Sequence, residues 1–264
     1  MMSHEIAVEI GEMPVLLRTE DSGFRDLLAR RYAGFLSSAI PKFEFDVDLV
    51  APTTEMESDL DVEVRMQHGV WHLHRGDFRA QWDPGAGRGT IRQTANPYSI
   101  DSVLRILHTL LLAKSGGFLL HAASAIRNGQ AFLFSGVSGA GKTTISRLAP
   151  NDAILLTDEI SYVRRTPDRF YACGTPFAGE LARSGQNCSA PIRTLFFLQK
   201  GPKHSTESIG QAEAIRNLMR NILFFAEDQE LVKSVFRSAC EFVESVPVRR
   251  LTFLPNEQVW DLVV

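Results

Sequence analysis

Gln130-Ala-Phe-Leu-Phe-Ser135, Gly136-Val-Ser-Gly-Ala-Gly-Lys-Thr143 and Thr144-Ile-Ser-Arg-Leu-Ala149 form the stretch on which the reading of this 264-residue chain turns. The first piece is a short apolar run and reads as a buried strand. The middle piece fits G-x-x-x-x-G-K-[ST], the phosphate-binding P-loop. The last reads as a short helix closed by Pro150. Strand, glycine loop, helix is the context that the motif requires. Backbone N–H groups of Gly136, Val137, Ser138, Gly139, Ala140 and Gly141 would close around nucleotide phosphates. Lys142 would reach the β- and γ-phosphates, and Thr143 would offer its hydroxyl to Mg²⁺. Thr144 would continue into the helix, whose positive N-terminal end faces the phosphates.

Working outward, Phe118–Ile126 precedes the motif strand, and Arg127-Asn-Gly129 between them is a tight hairpin signal. The motif strand should therefore pair antiparallel with the one before it, unlike P-loop folds built on a parallel sheet. Beyond the loop, Ala153–Thr157 reads as a strand ending in Asp158-Glu159. Further strands are expected around Ser161–Arg165, Arg169–Cys173, Arg193–Leu198 and Leu251–Leu254. Two amphipathic helices should carry Ile215, Leu218, Met219, Ile222 and Phe225, then Leu231, Val232, Val235, Phe236, Ala239 and Phe242.

The first hundred residues differ. Phe43-Glu-Phe-Asp-Val-Asp-Leu49 alternates apolar and polar strictly, and similar short pieces follow at residues 62–66, 70–74, 78–82 and 90–93. That pattern predicts an antiparallel meander. A helix capped by Ser22 and carrying Phe24, Leu27, Leu28, Phe35 and Leu36 should precede it, ending at Pro41. A second helix is expected over about Ile100–Lys114. The fold class expected is α/β: a small antiparallel α+β domain over 1–98, then a P-loop domain with a mixed, largely antiparallel sheet over 99–264.

A net charge of −3 gives no electrostatic footprint for nucleic acid. No polybasic cluster suggests a membrane surface, the first residues do not read as a secretory signal, and the apolar runs are too short to span a bilayer. Three cysteines, Cys173, Cys188 and Cys240, with no C-x-x-C spacing argue against a disulfide framework or zinc site and for a cytoplasmic setting.

Asp158 lies 16 residues after Lys142, with room for one short helix and one strand. The hairpin with His121, the loop at 136–143 and Thr157-Asp-Glu159 resemble the catalytic domain of HPr kinase/phosphorylase, itself related to phosphoenolpyruvate carboxykinase. Gly174–Glu180, Ala190–Gly201 and Gln211–Ala214 are similar to HPr-kinase-related bacterial proteins, so the resemblance spans about 118–245. It implies an ATP- and Mg²⁺-dependent phosphotransferase acting on a hydroxyl of a peptide, protein or small metabolite. Asp158 would be the general base, Glu159 would assist through metal contacts, and His121 would lie near the phosphates or Asp158. Apart from the resemblance, Glu180 could be a second Mg²⁺ ligand or an exposed loop acid. Self-association is implied too, since HPr kinases are hexamers. One departure stands out: Tyr171-Ala-Cys-Gly174 occupies the place of the family's Glu-x-Arg-Gly. That departure keeps a nucleotide-sensing module or partner-coupled ATPase as the alternative. Arg164, Arg165 and Arg183 could clamp phosphate, or sit solvated at the surface. His72 and His74 read as a strand edge rather than a metal pair.

Overall fold

The computed structural model describes residues 3–51, 61–181 and 184–264. It is a mixed α/β structure that divides into two compact units, residues 1–110 with 224–229, and residues 111–223 with 230–264.

In the first unit, β1 (His4–Ile10) and β2 (Met13–Thr19) form a hairpin that the sequence reading missed. Gly11 and Glu12 turn it, both at positive φ (61° and 64°), the geometry of a two-residue hairpin loop. Helix α1 (Ser22–Arg31) is capped by Asp21, not Ser22: the Asp21 carboxylate accepts the Phe24 N–H at 2.7 Å. The side chain of the residue before the first turn is the one that reaches back to its open N–H groups. The helix is also shorter than expected. A 3₁₀ turn at Ala33–Phe35 follows it, which buries Phe35 and leaves Leu36 46% exposed.

Strand β3 (Phe43–Leu49) buries Phe45 and Val47, as its alternation requires. Strands β4 (Glu63–Gln67), β5 (Val70–Arg75), β6 (Phe78–Asp83) and β7 (Arg88–Gln93) make an antiparallel meander. The seven strands lie in the order β1-β2-β3-β7-β6-β5-β4, and β3 is parallel to both neighbours. This sheet is therefore mixed rather than antiparallel. The α1 crossover returns the chain to the same side in the same direction, and the chain then re-enters at the far edge as β4.

Helix α2 (Pro97–Ser115) is one continuous helix, and the division between the units falls inside it, at Leu110/Leu111. Apolar residues are buried along its whole length, from Ile100 through Leu107 to Ala113, so no change of composition marks the break. Residues 224–229 group with the first unit, where Ala226 bridges to Val64.

Among the described residues the second unit carries nine strands. The hairpin β8 (Phe118–Arg127) and β9 (Gln130–Ser135) turns through Asn128-Gly129, both at positive φ, and pairs antiparallel. Helix α3 (Lys142–Arg147) is followed by β10 (Ile154–Thr157), β11 (Ile160–Arg165), β12 (Phe170–Cys173) and β13 (Ser189–Lys200). Then come β14 (Ser205–Ser208), α4 (Gln211–Met219), β15 (Ile222–Leu223), α5 (Gln229–Ser245) and β16 (Val248–Phe253). Two pairings are parallel, β9 with β13 and β13 with β16; the other seven are antiparallel. Ile222 and Phe225 lie outside the helix expected for them, which ends at Met219, and Ile222 takes a strand position. It pairs instead with Leu120 of β8, an edge whose backbone groups need partners.

The core of this unit has two parts. One holds Leu133, Leu195 and the inner faces of α4 and α5. The other packs Ile145 of α3 against Phe134, Phe196 and Trp260, whose indole N–H donates to the Ile145 carbonyl at 3.1 Å. The six-residue helix α3 is too short to hold itself together in water, so this packing keeps it in place.

Candidate phosphate-binding site

Strand β9 runs out at Ser135 beside β13, with Ser135 opposite Phe197 in parallel register. The glycine loop therefore starts next to Leu198 and ends where β16 closes over it. Gly141 has φ 113°, a conformation that side chains disfavour, and a Cβ there would stand 2.7 Å from the Phe253 ring. Both facts require glycine at this position. The Gly141 carbonyl then accepts the Ile145 N–H at 2.9 Å and starts α3.

Lys142 folds back over the loop, its Nζ donating to the Gly136 carbonyl at 3.2 Å. Burial pushes its ammonium pKa below the ordinary lysine value; Glu159 and Glu180 act in the opposite direction without restoring it. A half-buried cation with a carbonyl as its hydrogen-bond acceptor suits an incoming polyanion, which supplies the missing charge.

On the facing side, the Thr157 hydroxyl accepts the N–H groups of Glu159 and Ile160, each at 3.2 Å, and turns the chain sharply between β10 and β11. Asp158 is 3% exposed, and its two carboxylate oxygens accept the N–H groups of Gly179 and Leu181, both at 2.9 Å. Gly179 approaches so closely that a Cβ would lie 2.9 Å from Asp158 Oδ2. The carboxylate thus shapes the segment that carries Glu180. Each of its oxygens keeps a further lone pair.

These parts enclose a cavity of about 360 Å³. Ser138, Gly139, Gly141, Lys142, Thr143 and Thr144 form one wall. His121, Asp158, Glu159 and Glu180 form the other. His121 is brought there by β8, where it stands opposite Ile160 of β11. Of the loop residues, Gly136 and Val137 border a neighbouring cavity, and Ala140 turns into the apolar core under the loop. Lys200, at the end of β13, also lines the site and was missed. The only signal for it was its place two residues after an apolar strand; nothing local revealed that this strand runs beside β9.

Other candidates lie elsewhere. Arg164 stacks over the Tyr171 ring, with the guanidinium carbon 5.7 Å from its centroid, and Arg165 pairs with Glu241. Arg183 lies outside the described residues. His72 and His74 face Arg65 and Glu63 across the β4–β5 ladder. Among the described residues no group of three or more His, Cys, Asp or Glu converges to hold a metal ion. Mg²⁺ does not need such a cage, because it takes one or two carboxylates together with substrate phosphates and water. Glu159, Glu180 and the Thr143 hydroxyl border the same cavity as Lys142, and that donor set fits it. No helix among the described residues is long and apolar enough to cross a membrane.

Residues 91–263 match the family model described as SynChlorMet cassette protein ScmC. No curated protein matches the chain. Among solved structures, the Hpr(Ser) kinase/phosphatase from Coxiella burnetii aligns at 12% identity over 48% of this chain and 92% of that one, with a TM-score of 0.26. So low a score marks a distant relationship at most.

Proposed function

The chain belongs to the SynChlorMet cassette protein ScmC family, and we propose that it is an ATP-dependent phosphotransferase of HPr-kinase-like type. The single observation that carries this reading is one cavity bordered by a glycine loop, a half-buried lysine and three acids. Lys142 and the loop N–H groups bind the phosphates of ATP. Thr143, Glu159 and Glu180 would hold Mg²⁺, which neutralises charge on the β- and γ-phosphates when bound. Asp158 accepts the proton of an acceptor hydroxyl. A bond forms between that hydroxyl oxygen and the γ-phosphorus. The bond from the γ-phosphorus to the β–γ bridging oxygen breaks, and ADP leaves with the electron pair. The Gly179 and Leu181 amides keep the Asp158 carboxylate oriented throughout. His121 borders the point of transfer and positions the acceptor.

A specific observation favours a second reading, a nucleotide sensor. Both Asp158 oxygens already hold the 179–181 segment, so this acid can serve as a strut that reports phosphate occupancy. The experiment that decides uses γ-labelled ATP, Mg²⁺ and a lysate of the source cells, with Lys142→Ala as the blank. Lys142-dependent label in any acceptor supports the kinase. Lys142-dependent nucleotide binding without labelled product supports the sensor.

A further inference from the structure

A second cavity, of about 470 Å³, opens from the other side of the glycine loop. It shares His121 and Ser138 with the first, so the two meet at the strand that carries His121. Gly136 borders it as well, and the Gly136 carbonyl is where Lys142 Nζ rests. The P-loop lysine marks the β,γ end of a bound triphosphate. The second cavity therefore adjoins the end from which a γ-phosphoryl group leaves.

It is also lined by Asn217 in the last turn of α4, by Arg220 and Asn221 just after that helix, and by Arg250 of β16. The segment after α4 is fixed to the strand of His121: the His121 N–H donates to the Asn221 carbonyl at 2.7 Å, and β15 then pairs with β8. The two arginines differ in what they can bind. Arg250 is held by Glu207 and Glu213, and those carboxylates raise its pKa further. Its charge is spent within the protein. Arg220 is exposed and has no carboxylate partner among the described residues. Among the described residues this wall thus presents one uncompensated positive charge, and Asn217 lines the same cavity. One guanidinium fork matches one carboxylate. A phosphate dianion would call for a second free cation, which Arg250 does not supply.

Resting on the phosphotransferase reading above, we propose that this cavity is the acceptor subsite and that it selects a small hydroxy acid. Arg220 holds the carboxylate, and the hydroxyl faces His121 and the γ-phosphate.

The test is equilibrium binding, which needs no turnover. The full-length protein is saturated with Mg²⁺ and a non-hydrolysable β,γ-imido analogue of ATP. Hydroxy acids of three to six carbons are then titrated by calorimetry, each beside the polyol of equal length. Hydroxy acids should bind roughly tenfold more tightly than their polyols, the scale of one charge-assisted contact. Arg220→Gln should abolish that preference and Arg220→Lys should restore part of it, with analogue affinity unchanged in both. Equal binding of acids and polyols overturns the proposal, as does absence of binding by any acid or a preference that survives Arg220→Gln. Tighter binding of phosphorylated hydroxyl compounds than of any hydroxy acid overturns the choice of carboxylate. Analogue binding that is indifferent to Lys142→Ala overturns the phosphotransferase reading itself, so the two failures are told apart.

Discussion

Three carboxylates are buried among the described residues, and the two units treat them differently. In the first unit, Asp77 is paired with Arg75 and Asp101 with Arg31; Asp101 also accepts the Tyr32 hydroxyl at 2.5 Å. In the second unit, Asp158 is met by two backbone N–H groups and borders a cavity. An arginine pair closes a charge off: both ions are answered and nothing is left to act. Backbone amides leave the carboxylate's charge in place and tie it to the shape of a loop. The first arrangement builds stability, whereas the second keeps charge available at a site.

The sharpest way to break this contrast is Asp158→Asn. If the acid takes the acceptor proton, turnover should fall about 10²–10⁴-fold with nucleotide affinity little changed. Asparagine also turns an N–H toward one of the two loop amides, so hydrogen exchange at Gly179 and Leu181 should rise. Faster exchange with unaltered turnover would leave Asp158 as a strut alone. Asp101→Ala is the counterpart in the first unit. It strands the Arg31 charge and the Tyr32 hydroxyl and should cost about 3 kcal/mol in denaturant unfolding, with nucleotide affinity unchanged. A loss below 1 kcal/mol would mean that this pair closes nothing.

His108 sharpens the same contrast through pH. It lies fully buried on α2, and burial alone pushes its pKa down from 6.5 to about 3. The folded state therefore favours the neutral ring. Its contribution is present above pH 6.5 and is lost as pH falls toward 3, because the unfolded chain binds the proton first. Stability should decline below pH 6.5 by up to about 1.4 kcal/mol per pH unit from this group, and His108→Leu should flatten that part of the slope. Equal slopes in both proteins would show that His108 can ionise in place. The smallest expected effect is Gly179→Ala. The added methyl crowds Asp158 and Glu159, and turnover should drop about tenfold through misplacement of the acids, with stability nearly unchanged. An unchanged rate would show that the segment shifts without moving them.

Much of the second unit was legible locally. The Asn128-Gly129 turn dictates a hairpin, and glycines at 136, 139 and 141 permit the positive φ that the loop adopts. Asp158-Glu159 after an apolar strand pointed to an acidic strand end. In the first unit, strict alternation marked β3 and the meander. The β1–β2 hairpin was missed because its turn, Gly11-Glu12, puts a glutamate at positive φ. The parallel placement of β3 was missed because strand direction depends on a crossover through α1, which no residue pattern encodes.

The sequence by itself determined the phosphate loop, its strand and helix, and which acids were candidates, because turn geometry and periodicity act over a few residues. Tertiary structure alone decided that β13 lies parallel to β9, bringing Lys200 and Phe253 to the loop. It alone set Asp158 against the amides of Gly179 and Leu181, and neutralised Arg250 while leaving Arg220 at the cavity wall. These contacts join residues 20 to more than 100 positions apart. Chain entropy opposes each of them, and only the packing of the whole sheet compensates for it.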